Sequence, residues 1–132
     1  CLTLGAITGE AAYADTAERI TARLAPLIAG APQASGTAAW VAESLASGPL
    51  QIAIGGPEGP ERDALERAAR ASTDAGRLVI AGDDETASPL LTGRVGERAA
   101  AYVCQGSVCQ LPAYSPEELQ QRLQDARGRL AW

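Results

Sequence analysis

The spacing of hydrophobic residues changes near position 48. Before it, apolar residues recur every three or four positions, which is typical of amphipathic helices. One helix is predicted over residues 10–25, with Pro26 expected to end or kink it, and another over residues 37–46. The first of these helices has four residues on its apolar face: Tyr13, Ala17, Ile20 and Leu24. The residues ahead of Gly9 are expected to belong to a helix that has already begun.

After position 48, short apolar runs replace the helical period. Residues 50–56 (LQIAIGG) and 77–82 (RLVIAG) are apolar and end in glycine, which indicates two buried strands. Between them, Pro60 stands near the first position of a predicted helix with an acidic first turn. A strand, a helix and a strand within about 30 residues predict a βαβ unit with parallel strands. Residues 83–98 show no regular period.

A hairpin is predicted over residues 99–113. Gly106 and Ser107 fit a two-residue type II′ turn, because glycine at the first central position tolerates the positive φ of that turn. This turn places Cys104 directly opposite Cys109 on neighbouring strands. The two cysteines are therefore predicted to lie on the same face of the sheet.

The chain is predicted to finish in a capped helix. Ser115 is the expected N-cap, Pro116 takes the first helical position, and Glu118 closes a capping box. The apolar face of this helix has four members: Leu119, Leu123, Ala126 and Leu130.

Together these elements predict an α/β fold in two parts. Residues 1–47 form an N-terminal helical hairpin, and residues 48–132 form a small α/β module. The module contains a sheet of about four strands, made from the βαβ unit and the C-terminal hairpin, with flanking helices.

Composition and charge narrow the function classes. The net charge is −5 and basic residues form no cluster, which argues against binding to nucleic acid or to an anionic membrane. No apolar run approaches the ~20 residues that span a bilayer. With no histidine in the chain, neither a Ser-His-Asp nor a Cys-His nucleophile can form, nor can a histidine-ligated metal site. We expect no cofactor and no metal. Three cysteines do not make a secreted disulfide framework, so a reducing cytoplasm is the expected compartment.

Cys104 and Cys109 are the candidate site residues, as structural or redox-active thiols. Their Cys-x4-Cys spacing differs from the Cys-x-x-Cys of thioredoxin-like sites. The favoured interpretation is two small apolar residues buried on adjacent strands. A reversible cross-strand disulfide is the main alternative, and metal binding is the least favoured.

Two loops also invite a chemical interpretation. Residues 54–59 (IGGPEG) join a strand to a helix, where phosphate-binding loops occur, but lack the Lys-Ser/Thr of a P-loop. A tight strand-to-helix turn is therefore the favoured interpretation. Residues 82–86 (GDDET) could offer carboxylates to a divalent metal, but an acidic solvated turn is more common.

Three segments resemble the thioredoxin-domain-containing protein family. ITGEAAYADTAERI is similar to a late helix of that family's barrel, and IAIGGPEGPERDAL is similar to the strand, turn and helix that follow it. ERAAAYVCQGSVCQLPAYSPEEL is similar to the family's ending, in which a Tyr-Val-Cys, a short turn, a second Cys and a Pro precede a capped helix.

The resemblance implies a longer protein with an N-terminal thioredoxin-like domain and an (α/α)6 barrel like that of N-acylglucosamine 2-epimerases. Residues 1–47 would then be the last helices of the barrel, and the partner of this segment would be the preceding part of the same chain. The family's thioredoxin-like cysteine motif has no counterpart here, so no catalytic residue carries over. We therefore expect a mainly structural C-terminal segment without a complete catalytic site. The alternatives are a contribution to a sugar-active barrel enzyme, or a thiol-disulfide partner acting through Cys104 and Cys109.

Overall fold

The computed structural model describes residues 1–72 and 77–128, and it confirms the α/β fold. The chain divides into two compact units, Cys1–Gly48 and Pro49–Trp132, which we call unit 1 and unit 2. In the described ranges, unit 1 is helical and unit 2 carries a four-stranded sheet with helices. No helix in these ranges is both long and apolar enough to cross a bilayer.

Unit 1 consists of three helices and a short 3₁₀ turn: α1 (Leu2–Thr8), α2 (Ala11–Gly30), the turn Pro32–Ala34 and α3 (Gly36–Ser47). As expected, Gly9 ends α1 in the left-handed conformation, with φ of 75°. The predicted end of α2 was wrong, because the helix continues through Pro26. The proline ring removes one hydrogen bond of the helix. The last turn is nevertheless closed, since the Ala31 N–H donates to the Leu27 carbonyl at 2.8 Å.

Unit 2 is built from four strands and two helices in chain order: β1 (Leu50–Gly55), α4 (Pro60–Ala71), β2 (Leu78–Gly82), β3 (Ala100–Gln105), β4 (Val108–Cys109) and α5 (Pro116–Gly128). The strand order in the sheet is β2-β1-β3-β4. β1 and β2 are parallel, as predicted for the βαβ unit. β3 runs antiparallel to both β1 and β4.

One face of the sheet is covered by α4 and α5. Side chains on this face alternate with those on the other because successive strand residues point to opposite sides. The core between sheet and helices consists of large side chains with at most 1% exposure: Ile52, Ile54, Val103, Leu65, Leu119 and Leu123. Burying each of the leucines fully contributes about 1.5–3 kcal/mol. The predicted apolar face of the last helix is thus confirmed for Leu119, Leu123 and Ala126, while Leu130 lies outside the described residues.

The irregular segment 83–98 packs against glycines on the other face of the sheet. Leu91 is buried, and its side chain fills the space beside Gly82 on β2. The backbone of Arg94 lies against Gly55, so closely that a Cβ on that glycine would overlap the Arg94 carbonyl. The segment therefore has fixed contacts with the sheet although it forms no helix or strand.

The C-terminal hairpin is shorter than predicted. β4 ends at Cys109, and pairing with β3 returns only as an isolated bridge between Ala101 and Ala113. Pro112 lies in the gap, where it lacks the N–H that a continuing ladder needs. An extra residue on this side also shifts the register, as in a β-bulge.

Candidate functional site

The predicted cysteine pair forms a disulfide in the structure. Cys104 and Cys109 are register partners on β3 and β4, with their Cα atoms 4.0 Å apart, and their Sγ atoms are bonded. The placement on adjacent strands is as predicted. The favoured interpretation was two small apolar residues buried on these strands. The structure differs from it in two ways, because the opposed side chains bring the two sulfurs into a bond and because Cys109 is exposed.

The turn explains why these two residues oppose each other. Gly106 has φ of 57°, whereas Ser107 does not have a positive φ, which is the pattern of a type II′ turn. The next hydrogen bond along the ladder joins the Gln110 N–H to the Val103 carbonyl at 2.9 Å. Cys104 and Cys109 therefore occupy the non-hydrogen-bonded position between two hydrogen-bonded pairs, where side chains approach most closely.

The two sulfurs belong to residues with very different exposure. Cys104 lies on β3, inside the sheet, and is 2% exposed. Cys109 lies on the edge strand β4 and is exposed. An external reagent therefore meets Cys109 first.

Arg94, from the irregular segment, contacts both sulfurs of the disulfide. Its Nη2 lies 3.4 Å from Cys104 Sγ and 3.2 Å from Cys109 Sγ. Within residues 1–72 and 77–128, Arg94 forms no ion pair with a carboxylate. A positive charge that no carboxylate of these described residues neutralises thus lies directly beside the disulfide.

The Arg94 guanidinium is held in this position from several sides. Its Nη1 donates to the Leu90 carbonyl at 2.6 Å, and its Cζ lies 5.8 Å from the centre of the Tyr102 ring. Its backbone N–H donates to the Leu91 carbonyl at 3.0 Å, and its carbonyl packs on Gly55. Because both ends of the residue are fixed, the charge needs no rearrangement to reach the sulfurs.

The glycine-rich loop at residues 54–59 serves backbone packing. A Cβ on Gly56 would lie 2.6 Å from the Ala99 Cα, so the loop passes directly against the chain that enters β3. Gly59 is the N-cap of α4, and the Arg62 side chain reaches back to donate to the Gly56 carbonyl at 3.1 Å. This is the tight turn that the sequence favoured over a phosphate-binding loop.

The acidic loop at residues 82–86 forms a turn stabilised by its own side chains. Asp84 Oδ1 accepts hydrogen bonds from the Thr86 hydroxyl at 2.7 Å and from the Thr86 backbone N–H at 2.8 Å. The bond from the hydroxyl has the larger effect and the bond from the backbone N–H the smaller, and both lower the pKa of Asp84 below its ordinary value of 3.8. Among the residues that the structure describes, no group of three or more acidic, Cys or His side chains could hold a metal ion.

Sequence reasoning found the cysteines but missed Arg94. The residue lies in a segment without a period, and fifteen positions separate it from Cys109. The chain has no Lys and no His, and the cation beside the sulfurs is an arginine. Only the close packing at Gly55 shows why this arginine reaches the disulfide.

Comparison of the chain with protein-family models, with curated proteins and with solved structures finds no match.

Proposed function

We propose that this chain is a mainly structural segment at the C-terminus of a thioredoxin-domain-containing protein. In this proposal, unit 1 supplies the last helices of an α/α barrel and unit 2 is a small module that follows the barrel. The segment itself holds no complete catalytic site, and the protein works in the cytoplasm. The observation that carries the proposal is the contrast between the cores of the two units.

Unit 1 has almost no core of its own. Ala17 is the one hydrophobic residue of unit 1 that is buried in the structure. Two polar residues of the unit, Ser35 and Ser44, are buried as well. Ile20 and Leu27 on α2 remain 49% and 50% exposed. Helices that leave such residues in water gain little from packing on each other, and their stability must come from a further surface.

An open apolar groove on unit 1 marks where that surface would pack. It has a volume of about 370 Å³ and is lined by residues from all three helices, among them Leu2, Ile20, Leu24 and Val41. A neighbouring helix pair of the same barrel fits this groove, because helices pack through apolar stripes of this kind. The resemblance described above supplies the identity of that neighbour.

Unit 2, in contrast, encloses its own core. Ile52, Leu65 and Leu123 come from three different elements, and each is at most 1% exposed. This burial is what a self-contained module needs, and it explains how unit 2 could follow a barrel without depending on it.

Hydrogen exchange of residues 1–132 tests the contrast directly. We expect amides of β1 and β3 to be strongly protected and amides of α2 to exchange with little protection, because unit 1 lacks its packing partner. A hydrophobic dye should bind, and Ile20→Gln should reduce its fluorescence. Glu18→Gln, an exposed neighbour on the same helix, is the matched control and should leave the fluorescence unchanged.

Two results would contradict the proposal. One is protection of α2 equal to that of β1, together with no dye binding. The other concerns the family: the reading frame that precedes the codon for Cys1 should encode a barrel and a thioredoxin-like cysteine motif, and a frame without them contradicts the family assignment.

A further inference from the structure

We propose that the Cys104–Cys109 bond is an exchangeable disulfide that reacts with external thiols at Cys109, with Arg94 stabilising the Cys104 thiolate that leaves. The disulfide reacts with a thiol, and its complete reduction to two free thiols uses a dithiol. This activity is separate from the structural role proposed for the segment.

The direction of the reaction follows from exposure. A thiolate attacks a disulfide along the S–S axis and must reach the sulfur that it bonds to. Cys109 is exposed on the two-residue edge strand, whereas Cys104 is 2% exposed. Attack therefore occurs at Cys109 Sγ, and Cys104 becomes the leaving group.

The leaving group is the sulfur that most needs a charge partner. A thiolate buried in apolar surroundings is costly unless a cation or a donor compensates it. The Arg94 Nη2 already lies 3.4 Å from Cys104 Sγ, and its position is fixed by the Leu90 carbonyl. Stabilising the thiolate speeds its departure and favours the reduced form of the pair.

The chain connectivity also favours exchange over a permanent cross-link. The disulfide joins residues only five positions apart. Closing so short a loop removes little entropy from the unfolded chain, so the bond adds little to stability by that route. A cross-link that stabilises little and has a cation beside its sulfurs is suited to opening and closing.

The reaction balances with a dithiol as the reductant. One thiolate of the dithiol bonds to Cys109 Sγ, the Cys104–Cys109 bond breaks, and its electron pair remains on Cys104. The second thiolate then attacks the dithiol's own sulfur in the mixed disulfide and releases Cys109. The dithiol is oxidised to its disulfide by two electrons, and the two protein thiolates take up protons from water.

Trapping with oxidised glutathione tests the direction. In Cys104→Ser, Cys109 should form a mixed disulfide readily. In Cys109→Ser, Cys104 should react at about one tenth of the rate of Cys109 in Cys104→Ser, or more slowly still, because it is buried. Mass spectrometry of the intact chain reports both products. Equal trapping rates, or faster trapping in Cys109→Ser, would overturn the proposed direction.

Equilibration in glutathione buffers tests Arg94. We expect Arg94→Gln to shift the equilibrium toward the disulfide by about tenfold, equivalent to ~30 mV for a two-electron couple. Arg94→Lys should restore part of the shift because it keeps the charge. Arg98→Gln is the matched control: that arginine lies in the same segment but its Cζ stacks 4.9 Å from the Tyr114 ring, so the equilibrium should not move.

Two outcomes would overturn the inference. One is a wild-type disulfide that persists in a large excess of reduced glutathione, which would show that the bond is a permanent cross-link. The other is an equal shift of the equilibrium in folded Arg94→Lys and Arg94→Gln, which would show that Arg94 acts through packing rather than charge. Circular dichroism of each variant at the assay temperature establishes which variants are folded.

Discussion

The carbonyl oxygen of Arg94 occupies the space beside Gly55 that a side chain would fill. This contact joins the irregular segment to β1, one of the two inner strands of the sheet. It also fixes the backbone from which the Arg94 guanidinium reaches the disulfide. The glycine on β1 and the cation at the cysteines are therefore parts of one arrangement.

Gly55→Ala should destabilise the protein by about 3 kcal/mol, because the added methyl group overlaps backbone that cannot move away easily. Urea denaturation followed by circular dichroism measures the loss. Gly96→Ala is the matched control, since a Cβ there meets nothing within 4 Å, and its effect should be about 0.5 kcal/mol or less. Equal effects of the two substitutions would show that the contact between Arg94 and Gly55 is not tight.

Leu123→Ala should cost about 2–5 kcal/mol, because the side chain is fully buried between α5 and the sheet and its removal leaves a cavity. The free energy of unfolding from urea titrations gives the value. Gln124→Ala changes the adjacent exposed residue of the same helix and should stay within about 0.5 kcal/mol of wild type. If Leu123→Ala lowers the free energy of unfolding no more than Gln124→Ala does, the Leu123 side chain is not packed between α5 and the sheet.

Ser115→Ala should cost about 1 kcal/mol, because it removes the acceptor for the Glu118 N–H, which lies 3.2 Å from the Ser115 hydroxyl. Ser115→Asp keeps an acceptor at the cap and should retain most of the stability. Thermal melting of the three proteins compares them. If Ser115→Ala and Ser115→Asp lower the melting temperature equally, the hydrogen-bond acceptor at this cap does not contribute to stability.

Asp84 should titrate below its ordinary value of 3.8, because hydrogen bonds from the Thr86 hydroxyl and backbone stabilise its ionised form. A depressed pKa in the folded state stabilises the fold above the unfolded-state value, and this stabilisation is lost as pH falls through the folded-state value. NMR titration of the Asp84 carboxyl carbon measures the midpoint. Thr86→Val should raise it toward 3.8, whereas Thr92→Val, whose hydroxyl donates to the Glu85 carbonyl, should not move it.

Local sequence signals predicted those elements whose determinants are close together in the chain. Gly106 and Ser107 were enough to place Cys104 opposite Cys109, because turn type determines the register of a hairpin. Ser115 and Glu118 located the start of α5, although the Glu118 carboxylate accepts from the Tyr114 N–H rather than from the cap residue itself. Each of these predictions depended on neighbours within a few positions.

The features that were missed depend on contacts between distant parts of the chain. Gly55 and Gly56 were predicted at the end of a strand and in the turn that follows it, but the local sequence does not show that they accommodate the backbone of residues 94–99. Arg94 could be placed only once that packing was known, since no periodic pattern links it to the cysteines.

The central position of β1 has a consequence for synthesis on the ribosome. β2 follows β1 after a single helix, but β3 emerges only after the irregular segment as well. Until then one side of β1 presents unpaired N–H and C=O groups, which can pair with a strand of another nascent chain. Between translation of residue 82 and of residue 105, one edge of β1 therefore stays open to such pairing.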